Sequence, residues 1–240
     1  MGRKSFKAGA LTAPLPPVMV TVGDMENSNI ITIGWTGILS TIPPRTYISV
    51  RPERYSYKIL KEKREFVINL TTAKQAREVD YVGIYTGAKV DKFKECGFTK
   101  VESKEVAAPT IAECPFALEC RVIEIIPMGT HDVFVADIVS VSSDESIIDG
   151  EGKIRFDNAG LLAYAHGEYF ALGEKVGKFG FSTKKPGAKK TAPKKTIDEN
   201  KKKSAPVEKN TQAAEDKKRP FYLDAPRGKG NKSKGKGKRK

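Results

Sequence analysis

A few polar and aromatic residues of this 240-residue chain are of types that could hold a ligand. Arg51, Ser56 and Lys92 offer a guanidinium fork, a hydroxyl and an ammonium, the donors a phosphate needs. Trp35 and Tyr164 offer apolar aromatic walls, and Asn29 and His131 offer groups that both donate and accept. Thr36 and Gly37, directly after Trp35, suit a backbone that must approach a flat ring closely. Together these suit an anionic aromatic ligand. Each residue also has a plainer reading: Arg51 as an ion pair with Glu53, Ser56 as a helix cap, Lys92 on a solvated face, Asn29 and His131 in turns, Trp35 and Tyr164 in the core.

Other chemistries find little support. Two histidines, His131 and His166, are too few for a histidine-built metal centre and give a Ser-His-Asp triad little backing. Cys96, Cys114 and Cys120 are odd in number and lack C-x-x-C spacing, so they read as reduced packing residues. Gly173-Glu174-Lys175-Val176-Gly177-Lys178 has its glycines one residue too close for a phosphate loop, and Phe179 stands where Ser or Thr is needed. Gly228-Lys229-Gly230-Asn231-Lys232-Ser233 lacks the third glycine of a dinucleotide fingerprint.

The elements that must position the candidates follow from periodicity. Residues 18–22 and 29–35 are β-branched runs separated by Gly23-Asp24, a turn signal, and predict neighbouring strands. Residues 47–50 and 66–70 predict two more, with a short helix over 56–63 between them. A helix is expected over 73–85 and another over 91–96, closed by Gly97. Two long strands, 116–126 and 131–141, are joined by Pro127-Met128-Gly129-Thr130 and predict an antiparallel hairpin. Its imperfect alternation predicts a bulge near Ala136-Asp137. Apolar pieces at 161–165 and 169–172 complete the set. Many strands with few short helices predict a small, mainly β barrel.

Charge divides the chain. Residues 184–240 hold 21 Lys and Arg against 6 Asp and Glu, whereas residues 1–183 hold 22 against 23. The net charge of +14 therefore belongs to the tail. Rich in Lys, Ala, Pro, Gly and Ser, that tail has too little apolar surface to offset its ordering entropy, and it is expected to be disordered outside Pro220-Phe221-Tyr222-Leu223. Residues 1–183 are long enough to bury about 70% of their unfolded surface and form the folded domain. Without an apolar run of membrane-spanning length, a secretory leader or a myristoylation signal (Phe6 replaces the required Ser or Thr), the chain is expected in the cytosol.

Five motifs in order resemble the flavin reductase-like family of FMN-binding split barrels, especially flavoredoxins. They are Asn29-Ile30-Ile31-Thr32-Ile33-Gly34-Trp35-Thr36-Gly37 followed by Pro43-Pro44; Ser49-Val50-Arg51-Pro52-Glu53-Arg54-Tyr55-Ser56; Glu65-Phe66-Val67-Ile68-Asn69-Leu70; Gly87-Ala88-Lys89-Val90-Asp91-Lys92-Phe93; and Gly173-Glu174-Lys175-Val176-Gly177-Lys178-Phe179-Gly180. The resemblance covers nearly all of residues 1–183 and none of the tail. It implies an FMN-binding split β-barrel, a homodimer, and an FMN-dependent oxidoreductase. Electrons would enter from NAD(P)H or a small iron-sulfur or rubredoxin-type protein and leave to a second acceptor. It places Asn29, Trp35, Thr36, Gly37, Arg51, Ser56, Lys92, His131 and Tyr164 at the flavin, with Arg51, Ser56 and Lys92 at its phosphate. The competing reading is a barrel without turnover whose basic tail binds RNA or an acidic partner.

Overall fold

Valine and isoleucine at every second position make the first two strands, β1 (Val18–Gly23) and β2 (Ser28–Ile33), and their alternation assigns each face. Val18, Val20, Val22, Ile31 and Ile33 face one core cluster; Met19 and Ile30 face another. Gly23 turns the chain between them at φ +96°, where a Cβ would strike the Asn27 carbonyl. These strands belong to a computed structural model that describes residues 2–183. The tail and its Pro220-Phe221-Tyr222-Leu223 segment lie outside the described residues.

Five further strands complete the main sheet: β3 (Thr36–Thr41), β4 (Pro44–Val50), β5 (Glu65–Leu70), and, later in the chain, β8 (Phe116–Pro127) and β9 (Asp132–Ser143). All pairings are antiparallel, in the order β2-β1-β5-β8-β9-β4-β3. The sheet is rolled. Ile31 and Ile33 near one end share a single core with Ile48 and Val50 near the other, and the Ser49 amide donates to the Trp35 carbonyl at 3.0 Å. Between β4 and β5, helix α1 (Tyr55–Lys63) adds Leu60 to the same core.

Helices α2 (Ala76–Ile84) and α3 (Lys92–Cys96) cover the outer face of β1 and β2. A 3₁₀ turn closed by a Thr72/Gln75 capping box leads into α2. In α3, the Asp91 carboxylate accepts from the Phe93 and Lys94 amides, and Gly97 ends the helix at φ +65°. Two small hairpins, β6 (Lys100–Val101) with β7 (Thr110–Ile111) and β10 (Leu162–Ala165) with β11 (Glu168–Ala171), finish the fold. The first compact unit runs over Met1–Val176. No helix among the described residues is long and apolar enough to cross a membrane.

Mainly β architecture with short helices agrees with the sequence reading, with two local differences. The chain breaks at Gly34-Trp35, and Thr36 and Gly37 begin strand β3, which has no counterpart in the periodicity. As a sheet edge it leaves Ile38 and Leu39 exposed, so the one-sided alternation of a half-buried strand is missing. The long hairpin carries two register shifts: Ile123 is the extra residue on β8, opposite Ala136 and Val135, and Val139 is the extra residue on β9, opposite Glu119 and Cys120, so the bulge of β9 lies two residues beyond Asp137. The extra residue beside Ala136 thus belongs to the partner strand. All three cysteines are free; burial pushes the Cys114 thiol up to about 12 and the Cys120 thiol up further, as suits inert packing residues.

Candidate functional site

Two cavities of the first unit adjoin, sharing Ile31 of β2 and Arg54, the residue that precedes α1. The larger, about 310 Å³, is lined by Trp35, Arg51, Arg54, Asp80, His131 and Tyr164 among others. The smaller, about 100 Å³, is lined by Asn29, Arg54, Ser56, Thr86, Gly87 and Lys92 with their neighbours.

Polar groups of the small cavity are buried and committed in a definite sense. Asn29 Nδ2 donates to Ser56 Oγ at 2.7 Å, and both side chains are buried. Because that oxygen accepts from the amide, the Ser56 proton is free to donate into the cavity. Lys92, expected on a solvated face in its plainer reading, is 4% exposed. Its ammonium donates to the carbonyls of Ile30 at 2.7 Å and Val82 at 2.8 Å, which leaves the third of its three donors. Burial, aided by the nearby Arg54 charge, lowers its pKa to about 8. Glu53 also stands in the wall, but its carboxylate is largely exposed, so a compact anion would supply acceptors to the buried donors of Ser56 and Lys92. Gly87 makes this packing possible: a Cβ there would collide with the Asn29 amide oxygen and come within 2.7 Å of Tyr55 Cδ1.

The large cavity has aromatic walls. Trp35 is 41% exposed, so it is no core residue, and its ring lies 4.5 Å from that of His131 at an interplanar angle of 42°. Burial and the Arg51 charge lower the His131 pKa below its ordinary 6.5, which makes the imidazole neutral at pH 7. Tyr164, on β10, is held by reciprocal backbone bonds with Leu15, each 2.8 Å, so residues before β1 reach the same cavity. Beside it Tyr169, its ring 5.3 Å away, faces Asp80 with 3.1 Å between Oη and Oδ1. Burial and the Asp80 charge raise the Tyr169 pKa to about 12, so its hydroxyl stays a donor.

Asn29, Trp35, Arg51, Ser56, Lys92, His131 and Tyr164 are thus brought together around the joined cavities. Thr36 and Gly37 are not. The Thr36 hydroxyl donates to the Tyr47 carbonyl at 2.6 Å, Gly37 packs on the Tyr47 ring, and Gly34 takes their place in the cavity wall. Arg51 lines the large cavity and not the small one, apart from Ser56 and Lys92. Arg54, absent from the sequence-based set, stands where Arg51 was expected: it borders both cavities, and its Nη1 donates to the Gly83 carbonyl at 3.1 Å. Its position just before the helix was the signal available in the sequence, since a cation there shares the anion preference of the first helical turn.

A family model described as flavin reductase like domain matches residues 11–173. The chain belongs to that family. Among solved structures, flavoredoxin of Desulfovibrio vulgaris (Miyazaki F) superposes with a TM-score of 0.71 at 32% identity, covering 76% of this chain and all of that one. Flavoredoxin from Methanosarcina acetivorans gives 0.70 at 25% identity, over 76% and 98% of the two chains. A protein of Archaeoglobus fulgidus without an assigned function is 34% identical over 143 residues, 60% of this chain and 80% of its own. The rolled sheet is thus the split barrel of the flavin reductase like family, and the joined cavities lie inside the matched segment.

Proposed function

We propose that this chain binds FMN non-covalently and acts as a flavin-dependent oxidoreductase of the flavoredoxin type. The single observation that carries the reading is the pairing of cavities: a small buried one with directed donors from Ser56 and Lys92, opening past Arg54 into a larger one walled by Trp35, His131 and Tyr164. A volume of about 100 Å³ suits one terminal phosphate and leaves little space for a second phosphate and an adenosine, which favours FMN over FAD. The FMN-binding protein from Thermus thermophilus, 25% identical with a TM-score of 0.63, supports the same choice.

When bound, the flavin supplies the two-electron chemistry, and the residues of this chain bind, orient and tune. Ser56 and Lys92 hold the phosphate, with Asn29 fixing the direction of the Ser56 hydroxyl. Arg54 guards the neck between the cavities. Trp35 shields the ring from water. His131, neutral at pH 7, donates a hydrogen bond without adding a permanent charge, so it stabilises negative charge on the reduced ring more than it perturbs the oxidised one.

We further propose a homodimer. Edge strand β3 and the turn after it expose Ile38, Leu39 and Ile42, apolar residues at an edge that a second copy would cover. An electron donor of the kind expected from the family, NAD(P)H or a small iron-sulfur or rubredoxin-type protein, a second acceptor and a cytosolic setting complete the reading. Purified protein should be yellow and release FMN on denaturation, identified by chromatography against FMN and FAD. A colourless protein that takes up no added FMN would end the proposal.

A further inference from the structure

The small cavity has its own cation in Lys92, which leaves Arg51 without an assigned anion. Its only ion-pair partner among the described residues is Glu53 at 3.8 Å, and the two side chains are 55% and 75% exposed. A pair that open to water is weak and does not hold the guanidinium in place. Arg51 sits in the wall of the large cavity, together with Arg54 and His131. The one carboxylate of that cavity, Asp80, faces the Tyr169 hydroxyl. In the wall of the large cavity Arg51 and Arg54 outnumber Asp80, and the Glu53 carboxylate beside Arg51 is too exposed to hold it, so Arg51 is open to an incoming anion.

Space decides what that surplus can serve. A cavity of about 310 Å³ is at the lower end of small-molecule sites and holds a tricyclic ring with one flat partner, not a whole second dinucleotide. The rest of any larger reactant must run outward across the rim, where the Arg51 side chain is half exposed. A guanidinium is the side chain suited to bidentate capture of a phosphate there. We propose that Arg51 anchors the pyrophosphate of a reduced nicotinamide dinucleotide whose dihydronicotinamide enters the cavity, so that Arg51 selects the hydride donor and is not a ligand of the cofactor's phosphate. This rests on the reading that FMN occupies the joined cavities. In the reaction the dihydronicotinamide gives up a hydride, carrying two electrons, and leaves oxidised; the flavin ring takes the hydride together with one solvent proton. Arg51 exchanges no proton and forms no covalent bond.

The test uses the full-length holoprotein with Arg51→Ala and Arg51→Lys. Calorimetric titration with NAD⁺, which cannot reduce the flavin, should show at least tenfold weaker binding for Arg51→Ala and partial recovery for Arg51→Lys. Binding by the parent should weaken as salt rises. Turnover is compared between NADH and 1-benzyl-1,4-dihydronicotinamide, a hydride donor with no phosphate. The ratio of their kcat/KM values should fall at least tenfold in Arg51→Ala. NAD⁺ affinity within threefold of the parent, or a loss of FMN with both donors slowed together, overturns the proposal and in the second case returns Arg51 to the cofactor. A protein that takes up FMN and is reduced by the phosphate-free donor, yet neither binds NAD⁺ nor turns over NADH, overturns it and leaves the flavin reading intact. Failure to take up FMN at all would instead remove the flavin reading.

Discussion

Gly87→Ala is the smallest change that should close the phosphate cavity. The new methyl would meet the Asn29 amide oxygen and carbon, the latter at 2.6 Å, and Tyr55 Cδ1 at 2.7 Å, all closer than side-chain carbons normally come. Asn29 is buried and tied to Ser56, so it can yield only by breaking the 2.7 Å bond that directs the Ser56 hydroxyl. Losing that orientation weakens a charge-assisted hydrogen bond to phosphate worth about 1.5–3 kcal/mol, while the neutral Asn29–Ser56 bond, worth roughly 0.5–1.5, is lost from the apo-protein as well. The methyl also takes space from a cavity of only about 100 Å³. A loss of about 2–3 kcal/mol follows, on the order of 30- to 150-fold in FMN Kd. Stability of the flavin-free protein should fall as well, by about 1–3 kcal/mol, so affinity is compared on the folded fraction. Gly87 lies in a turn, has no left-handed φ, and gains about 0.4–1 kcal/mol from a less flexible unfolded chain, against roughly 1–3 for local overpacking. Flavin fluorescence titration gives Kd and a melt of the apo-protein gives the control. An FMN Kd within threefold of the parent would show that the Asn29–Ser56 pair does not govern phosphate binding.

Trp35 is 41% exposed, so Trp35→Ala should cost the apo-protein about 1 kcal/mol, well under the roughly 3–5 typical of a core aromatic, while weakening FMN by about 1–3; Trp35→Phe should keep most of the affinity. Equal losses in both measurements would return Trp35 to a packing role. Lys92, with its pKa lowered to about 8, predicts opposite trends with pH. Between that value and its ordinary 10.5 the unfolded chain binds more protons than the folded one, so apo-protein stability should gain from this group as pH rises across the window. FMN binding, which needs the cation, should weaken as pH rises through about 8. A flat Kd between pH 7 and 9.5 would take Lys92 away from the phosphate. Residues 1–183 alone should bind FMN within threefold of the full chain and lose any salt-sensitive retention on RNA that the full chain shows; a tenfold weaker FMN Kd would make the tail part of the site.

Local chemistry determined much of this protein. β-branched runs at 18–22 and 29–33 announce strands because their side chains are stiff and suit a pleat. Asp91 and Gly97 bracket α3 because a carboxylate satisfies free amides at one end and a glycine accepts φ +65° at the other. Segregation of charge separates residues 184–240 from the rest by composition alone. Residue types suited to an anionic aromatic ligand were also legible, and seven of the nine candidates line the joined cavities.

Other features depend on contacts between residues distant in sequence. Arg51 and Arg54 are equivalent cations to a reader of the chain; the path from β4 into α1 sends one to the large cavity and sets the other at the neck. In sequence Lys92 is open both to a phosphate-binding role and to a solvated face, and carbonyls of Ile30 and Val82 supplied by β2 and α2 draw its ammonium inward. Gly87 has ordinary turn chemistry, and only the approach of Asn29 and Tyr55 leaves a side chain no free space there. Strand β3 shows no burial pattern because an edge strand has one neighbour and exposed side chains. Propensity and periodicity act over a few residues, whereas which donors face one another is settled by the rolling of the sheet and the docking of α1, α2 and α3 upon it.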